Sequence, residues 1–521
     1  MLRVFKTQKS ELNKRSITNE KYVNKSKRLT KKRLRLLNLD KQESFSISRG
    51  KIASVVIFIL IVLCFISNKS ESVIHQLEVY DKVEDEDVLS MNAFKAKLKE
   101  RADKPLIYVA AHGGGLKANI WTMKVINAIQ KETEGEFFNQ TVSLSGASGG
   151  MMGLSLYAVL DGKYTNKFDT IASRINSVAK ENFASKDISM MFGADFFRKL
   201  YPLQKIGAHR DRSYYSMVTY RNILEGRISR TLDALSFKAY WKKNIFKNTR
   251  GYAPSLIINT AKTNGKRGVF YSIAYPENST IFYNSDKLSH LHNGTIAYYE
   301  AVSSTNRFPA LSPAAKIKGH GHYIDAGAID NSGLLSALDL HNYLKKDSLL
   351  NATPKVFVEI INGRTNYIHH LVQEFKKEQH ISNIFIEEIE QDNIIADLKT
   401  GLNLDKIPNY LSDFLNEWRK DPNIHYVPIY LPFQIQYEEI VKYLGADSLK
   451  NESQITALKE FLKIKNEAVA KVLDDDGFTW ETYEPTLARH LSKSTITYYD
   501  RVLKSNVVTD EIRAIDSLFG N

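Results

Sequence analysis

Residues 105–115, PLIYVAAHGGG, and residues 141–150, TVSLSGASGG, decide the fold. Leu106 to Ala111 is a short, unbroken apolar run, the pattern of a strand buried on both faces of a parallel sheet, and it stops at His112 and three glycines. Ile120, Trp121, Met123, Val125, Ala128 and Ile129 then recur at helical spacing. Thr141, Val142 and Leu144 form a second strand that leads into Ser145-Gly146-Ala147-Ser148-Gly149-Gly150, and residues 151–160, MMGLSLYAVL, are again helical. Strand, glycine loop, helix, strand, sharp turn, helix is a βαβ unit, and a parallel sheet follows from it.

The two glycine clusters gain a chemical meaning in that setting. Gly146-Ala147-Ser148-Gly149-Gly150 matches G-x-S-x-G. Its small flanking residues let a strand turn tightly into a helix, so the serine hydroxyl projects from the end of the sheet at the positive end of that helix. Gly113, Gly114 and Gly115 offer backbone N–H groups with no side chains beside a helix start, as an oxyanion of acyl transfer requires. A serine needs a base. Asp325 in Tyr323-Ile324-Asp325-Ala326-Gly327 stands at the end of a short apolar stretch, where partial burial would raise its pKa and improve it as a proton acceptor.

In this order, over about residues 105–335, the sequence resembles the patatin-like phospholipase family. Gly113-Gly114-Gly115-Leu116-Lys117-Ala118 is similar to the family's oxyanion loop, Gly146 to Gly150 to its nucleophile elbow, and Asp325-Ala326-Gly327 to its Asp motif. Ala301-Val302-Ser303-Ser304 with residues 308–313, Leu256 to Thr260 with Gly265 and Phe270, and Asn331 add secondary matches. The resemblance implies a Ser148–Asp325 dyad without histidine, an oxyanion hole from Gly113, Gly114, Gly115 and Gly149, motif support from Gly146, Gly150, Lys117 and Gly327, and acyl ester hydrolysis with neither metal nor organic cofactor. Membrane phospholipids or lysophospholipids would be the substrates. Lys117 stands where the family usually has Arg and keeps a cation without the bidentate fork, and Ala326 replaces a Gly, which strains the turn if that position needs φ > 0.

Two other readings compete. An α/β-hydrolase esterase also carries an HGGG loop but requires a downstream histidine, with His341, His369, His370, His380, His425 and His490 as candidates. A membrane-anchored lipid-binding protein with a silent site is the other. His320 and His322 suggest a metal only if a third ligand joins them, and the sequence places none.

Outward from this core, residues 164–250 are rich in aromatic and basic side chains, among them Phe196, Phe197, Tyr201, Tyr214, Tyr215, Tyr220, Tyr240 and Trp241, which suits either a cap over an acyl-chain pocket or a packed helical insertion. Lys355 to Ile361 reads as the last strand of the main sheet, and residues 366–521 as a mainly helical region packed on it, with one strand-like run at Ile424 to Leu431.

Toward the N-terminus the charge is localised. Of the chain's net +14, residues 1–51 hold 16 Lys/Arg and 4 Asp/Glu, so the remaining 470 residues are almost neutral and specific nucleic-acid binding is not indicated. Residues 52–67, IASVVIFILIVLCFIS, lie in an uncharged stretch of 17 between Lys51 and Lys69, at the short edge of a membrane span. Seven acids against two lysines follow in residues 68–90, so the positive-inside bias expects a cytoplasmic N-terminus and an extracytoplasmic body. The one cysteine, Cys64, excludes an intrachain disulfide. The expected plan is therefore a basic tail (1–51), a transmembrane helix (52–67), an acidic stalk (68–103), an α/β catalytic domain (104–365) and the C-terminal region (366–521). Its fold class is a three-layer α/β arrangement with a central, mostly parallel sheet and helical insertions.

Overall fold

The structure, a computed structural model, describes residues 23–32, 52–63, 76–77, 79–80, 88–199, 210–232, 235–248, 252–291, 295–308, 311–379, 421–444, 451–473 and 489–519. They fall into two compact units: one holds residues 23–32, 52–63 and 197–199, and the other everything else.

The larger unit is built on a sheet. Its strands are β1 (Val79–Tyr80), β2 (Leu106–Ala111), β3 (Thr141–Gly146), β4 (Ser255–Lys262), β5 (Arg267–Tyr271), β6 (Ser285–Lys287), β7 (Thr295–Ile296), β8 (Ala315–Ile317), β9 (Gly321–Ile324), β10 (Lys355–Ile361) and β11 (Ile424–Tyr430). β1 and β7 form a separate antiparallel pair, while the main sheet runs β11-β10-β2-β3-β4-β5-β6, with β9 paired to β4 and β8 to β9. From β11 to β4 every pairing is parallel, and β4/β5, β4/β9 and β8/β9 are antiparallel. The expected α/β fold with a mostly parallel sheet is what the chain adopts. The apolar runs behave as central parallel strands should, for every residue of β2, β3 and β10 is buried.

Two helices complete the central βαβ unit. Gly115–Glu132 follows the glycine loop, and Ser148–Lys163 follows β3 with all but its last residue buried, the outcome expected of a helix apolar on every side. They pack closely because Gly153 faces the first helix: a Cβ there would lie 2.7 Å from the Asn119 carbonyl oxygen.

β10 is not the last strand. β11 adds outside it in full parallel register, Lys355 opposite Ile424 through Ile361 opposite Tyr430, so the C-terminal third contributes to the sheet itself. Pro428 fits because β11 is an edge strand, where a missing N–H leaves no ladder bond broken.

A membrane-crossing helix over 52–67 is not found. Residues 52–63 are helical, a length of about 18 Å at 1.5 Å per residue, and residues 64–67 lie outside the described residues. Among the described residues no helix is long and apolar enough to cross a membrane. Of the expected acidic stalk, residues 68–75, 78 and 81–87 lie outside the described residues; the rest includes β1, paired with β7, and a helix at Met91–Lys99 that buries Met91, Phe94 and Leu98, as its spacing predicts.

Candidate active site

β3 ends at Gly146, Ala147 remains extended, and Ser148 turns with φ 47° directly into its helix. A left-handed serine is a strained conformation, and it aims the hydroxyl away from the strand. The flanking glycines are there for close approach. A Cβ on Gly149 would sit 1.9 Å from the Gly115 carbonyl oxygen, and one on Gly150 2.3 Å from that of His112, so elbow and glycine loop touch backbone to backbone.

Asp325 reaches the same point from the end of β9. β9 pairs with the overhanging end of β4, Ile324 opposite Ala261, and Thr260 Oγ1 donates to the Ile324 carbonyl at 2.7 Å. The amides of Asp325 and Ala326 donate to the carbonyls of Arg307 and Thr305, each at 3.1 Å, which stitches the Asp to the segment after the helix Tyr298–Ser304. Ala326 opens a single 3-10 turn without a positive φ, so the replacement of glycine there carries no strain.

The Ser148 hydroxyl donates to Asp325 Oδ2 at 2.6 Å, and Asp325 Oδ1 accepts from the Gly327 N–H at 2.9 Å. Burial pushes the Asp325 carboxyl up to about 6, opposed by the Ser148 hydroxyl, the Gly327 N–H and the charge of Arg489. Two residues without a sequence signal complete the setting. Asn306 Oδ1 lies 3.2 Å from the same hydroxyl, and Thr305 Oγ1 accepts from the Ser148 N–H at 3.1 Å. They fall between the two family-like segments 301–304 and 308–313, where nothing in residue type or spacing marks them.

The glycine loop divides its amides. Gly113 N–H donates to the Asn331 carbonyl at 2.9 Å and is therefore occupied. Gly114, with φ 148°, precedes a helix that has no side-chain cap, and the N–H groups of Gly114, Gly115 and Gly149 have no hydrogen-bond partner among the described residues. Orphan donors at two converging helix N-termini form an anion-accepting corner. Lys117 is buried in the first turn of the loop helix.

The histidines are engaged elsewhere. His341 packs edge-on against Tyr108 and Phe357, and burial lowers it to about 4. His370 stacks on Tyr430 at 4.3 Å, His369 meets Tyr443 edge-on, and His425 and His490 are exposed. His380 lies outside the described residues. No group of three or more His, Cys, Asp or Glu among the described residues could hold a metal ion. In the insertion, Tyr214, Tyr220, Tyr240 and Trp241 are buried, Tyr220 stacking on Phe183 at 4.2 Å, whereas Phe196, Phe197 and Tyr215 are exposed. Tyr201 lies outside the described residues. The four buried aromatics are packing residues of a helical insertion.

No family model and no curated protein matches the sequence. Among solved structures the chain is similar to human GIVD cytosolic phospholipase A2 in complex with methyl gamma-linolenyl fluorophosphonate, at 13% identity and a TM-score of 0.40, over 85% of this chain and 65% of that one. It is also similar to VipD from Legionella pneumophila, at 13% identity and a TM-score of 0.26, over 80% of this chain and 83% of that one. The chain thus spans a little under two thirds of the human phospholipase.

Proposed function

We propose that the protein is a lipid acyl hydrolase of the patatin-like type, a phospholipase A or lysophospholipase in which Ser148 is the nucleophile and Asp325 its base. The observation that carries this reading is the 2.6 Å hydrogen bond from a strained, helix-start serine to a buried carboxylate. Asp325 takes the hydroxyl proton as Ser148 Oγ attacks the acyl carbonyl, and the oxyanion is held by the free N–H groups of Gly114, Gly115 and Gly149. The Gly113 amide is left out of that set because it already serves Asn331. Collapse expels the alcohol, which takes the proton back from Asp325. A water then attacks the acyl-enzyme, with Asp325 again accepting its proton, and collapse releases the fatty acid as Asp325 returns that proton to Ser148 Oγ. Asn306, 3.2 Å from the hydroxyl, orients Ser148 between turnovers.

Residues 52–63 support a place at the membrane. Ile52, Val55, Val56, Ile57, Phe58, Ile59 and Ile61 are exposed around a helix with no polar face, a surface that lipid would cover. Under the positive-inside rule the basic tail stays on the cytoplasmic side. An extracytoplasmic body requires a full span, for which the sequence holds 17 uncharged residues after Lys51. Reporters fused at each end test that topology.

The decisive experiment is hydrolysis of mixed phospholipid and lysophospholipid by the wild type, Ser148→Ala and Asp325→Asn. Loss of turnover in both variants is expected. Full activity of Ser148→Ala would overturn the assignment, and a requirement for one of the downstream histidines would replace the dyad by a triad.

A further inference from the structure

Behind the glycine loop lies a set of buried polar side chains that the mechanism above does not use. Asn362 directly follows β10, is 2% exposed, and its Nδ2 donates to the carbonyls of His112 at 3.2 Å and Gly113 at 3.0 Å. His112 Nε2 lies 2.6 Å from Glu359 Oε1, and the other Glu359 oxygen accepts from the Tyr426 hydroxyl. Glu359 and Tyr426 belong to β10 and β11, so the two outer strands hold the loop that leaves β2. Buried side-chain amides and carboxylates are retained at a cost of desolvation unless each polar atom is matched, and here the matches converge on two consecutive peptide groups.

Peptide geometry makes this arrangement directional. In a planar trans peptide the carbonyl of one residue and the N–H of the next point in opposite directions. The His112 carbonyl bonds Asn362 and the Gly113 N–H of that same peptide bonds Asn331, so the two asparagines flank the plane. The next peptide has its Gly113 carbonyl on Asn362 as well, which turns the Gly114 N–H away from Asn362. Ser148 is on that far side: a Cβ on Gly113 would meet Asn331 Oδ1 at 2.3 Å and the Ser148 Cβ at 3.1 Å, whereas one on Gly114 would meet Asn362 Oδ1 at 2.4 Å.

We propose that Asn362, braced through the His112–Glu359–Tyr426 chain, is the positioning residue that aims the Gly114 N–H at the reacting carbonyl oxygen. The inference rests on the acyl-hydrolase reading and adds a second layer to it. A donor aimed by a rigid partner acts on the transition state more than on substrate binding, so its loss falls on kcat.

The test is a kinetic comparison of wild type, Ser148→Ala, Asn362→Asp and Glu359→Gln on one lysophospholipid, with Tm measured for each. Asn362→Asp keeps the shape but removes both donors. It is expected to lower kcat about tenfold to a hundredfold with KM within about twofold. Glu359→Gln keeps an acceptor for His112 and should lose less than about tenfold, and it serves as the informative variant if Asn362→Asp does not fold. A raised KM with unchanged kcat, or a kcat that tracks only the folded fraction, overturns the proposal while a Ser148-dependent wild type leaves the hydrolase reading standing. Absence of any wild-type turnover overturns both.

Discussion

Asp325 carries two opposed demands at one atom pair. Burial raises its pKa to about 6, so below that pH the carboxyl is protonated and no longer able to accept the Ser148 proton. The expected kcat/KM therefore rises with pH through about 6 and then levels, and a profile flat down to pH 4 would contradict the role of Asp325. The same group acts on stability with its own sign. Because the folded pKa lies above the ordinary 3.8, the native state holds this proton more tightly than the unfolded chain, and that contribution is present in full below 3.8 and lost as pH rises through about 6. Asp325→Asn, for which loss of activity is expected, is thus also expected to raise stability above pH 6 by on the order of 2–3 kcal/mol, visible as a gain in Tm over wild type at pH 8 that is absent at pH 4. Ser148, at φ 47°, is a second residue where function is set against backbone comfort.

At the scale of elements, the starts of the elbow helix and the loop helix meet backbone to backbone. Gly149→Ala would place a methyl 1.9 Å from the Gly115 carbonyl oxygen, so the two helix starts must separate. The expected result is a loss of at least about 1–3 kcal/mol and of activity together, measured by denaturant unfolding and ester turnover. Most of this core was legible in the sequence because apolar runs, glycine clusters and helical spacing are local patterns. What escaped are contacts between distant residues. Asn362 bonds a carbonyl 249 positions earlier, Thr305 receives the Ser148 N–H from 157 away, and no periodicity records either. The occupied Gly113 amide escaped for the same reason, since its partner is a main-chain carbonyl, which every residue has. β11 was visible as a strand-like run, but its place beside β10 depends on a long crossover that spacing does not describe.

For the whole molecule, the proposed membrane segment and the candidate site fall in different units. A chain beginning at Val73 keeps every residue of the candidate site and is expected to fold and to hydrolyse a dispersed short-chain ester at an undiminished rate, while losing co-sedimentation with phospholipid vesicles. Equal vesicle binding by both forms would assign lipid contact to the body instead. Truncation before Asp421 has a different expected outcome, because it removes β11 and the Tyr426 end of the brace behind the glycine loop, so circular dichroism should show a protein that no longer unfolds cooperatively.

The strand order also sets a timetable for biosynthesis. β2 can pair with β3 soon after both are made, but its other edge waits for β10, whose first residue is 244 positions beyond Ala111. At about 5–20 residues per second the ribosome needs roughly 12–50 s to cover that distance. Throughout that interval an entirely apolar strand has one open edge, and the glycine loop has neither Asn362 nor Glu359 to hold it. The nascent chain should therefore be a client of holding chaperones at least until β10, Lys355–Ile361, has been synthesised, and no product that ends before β10 should cleave an ester.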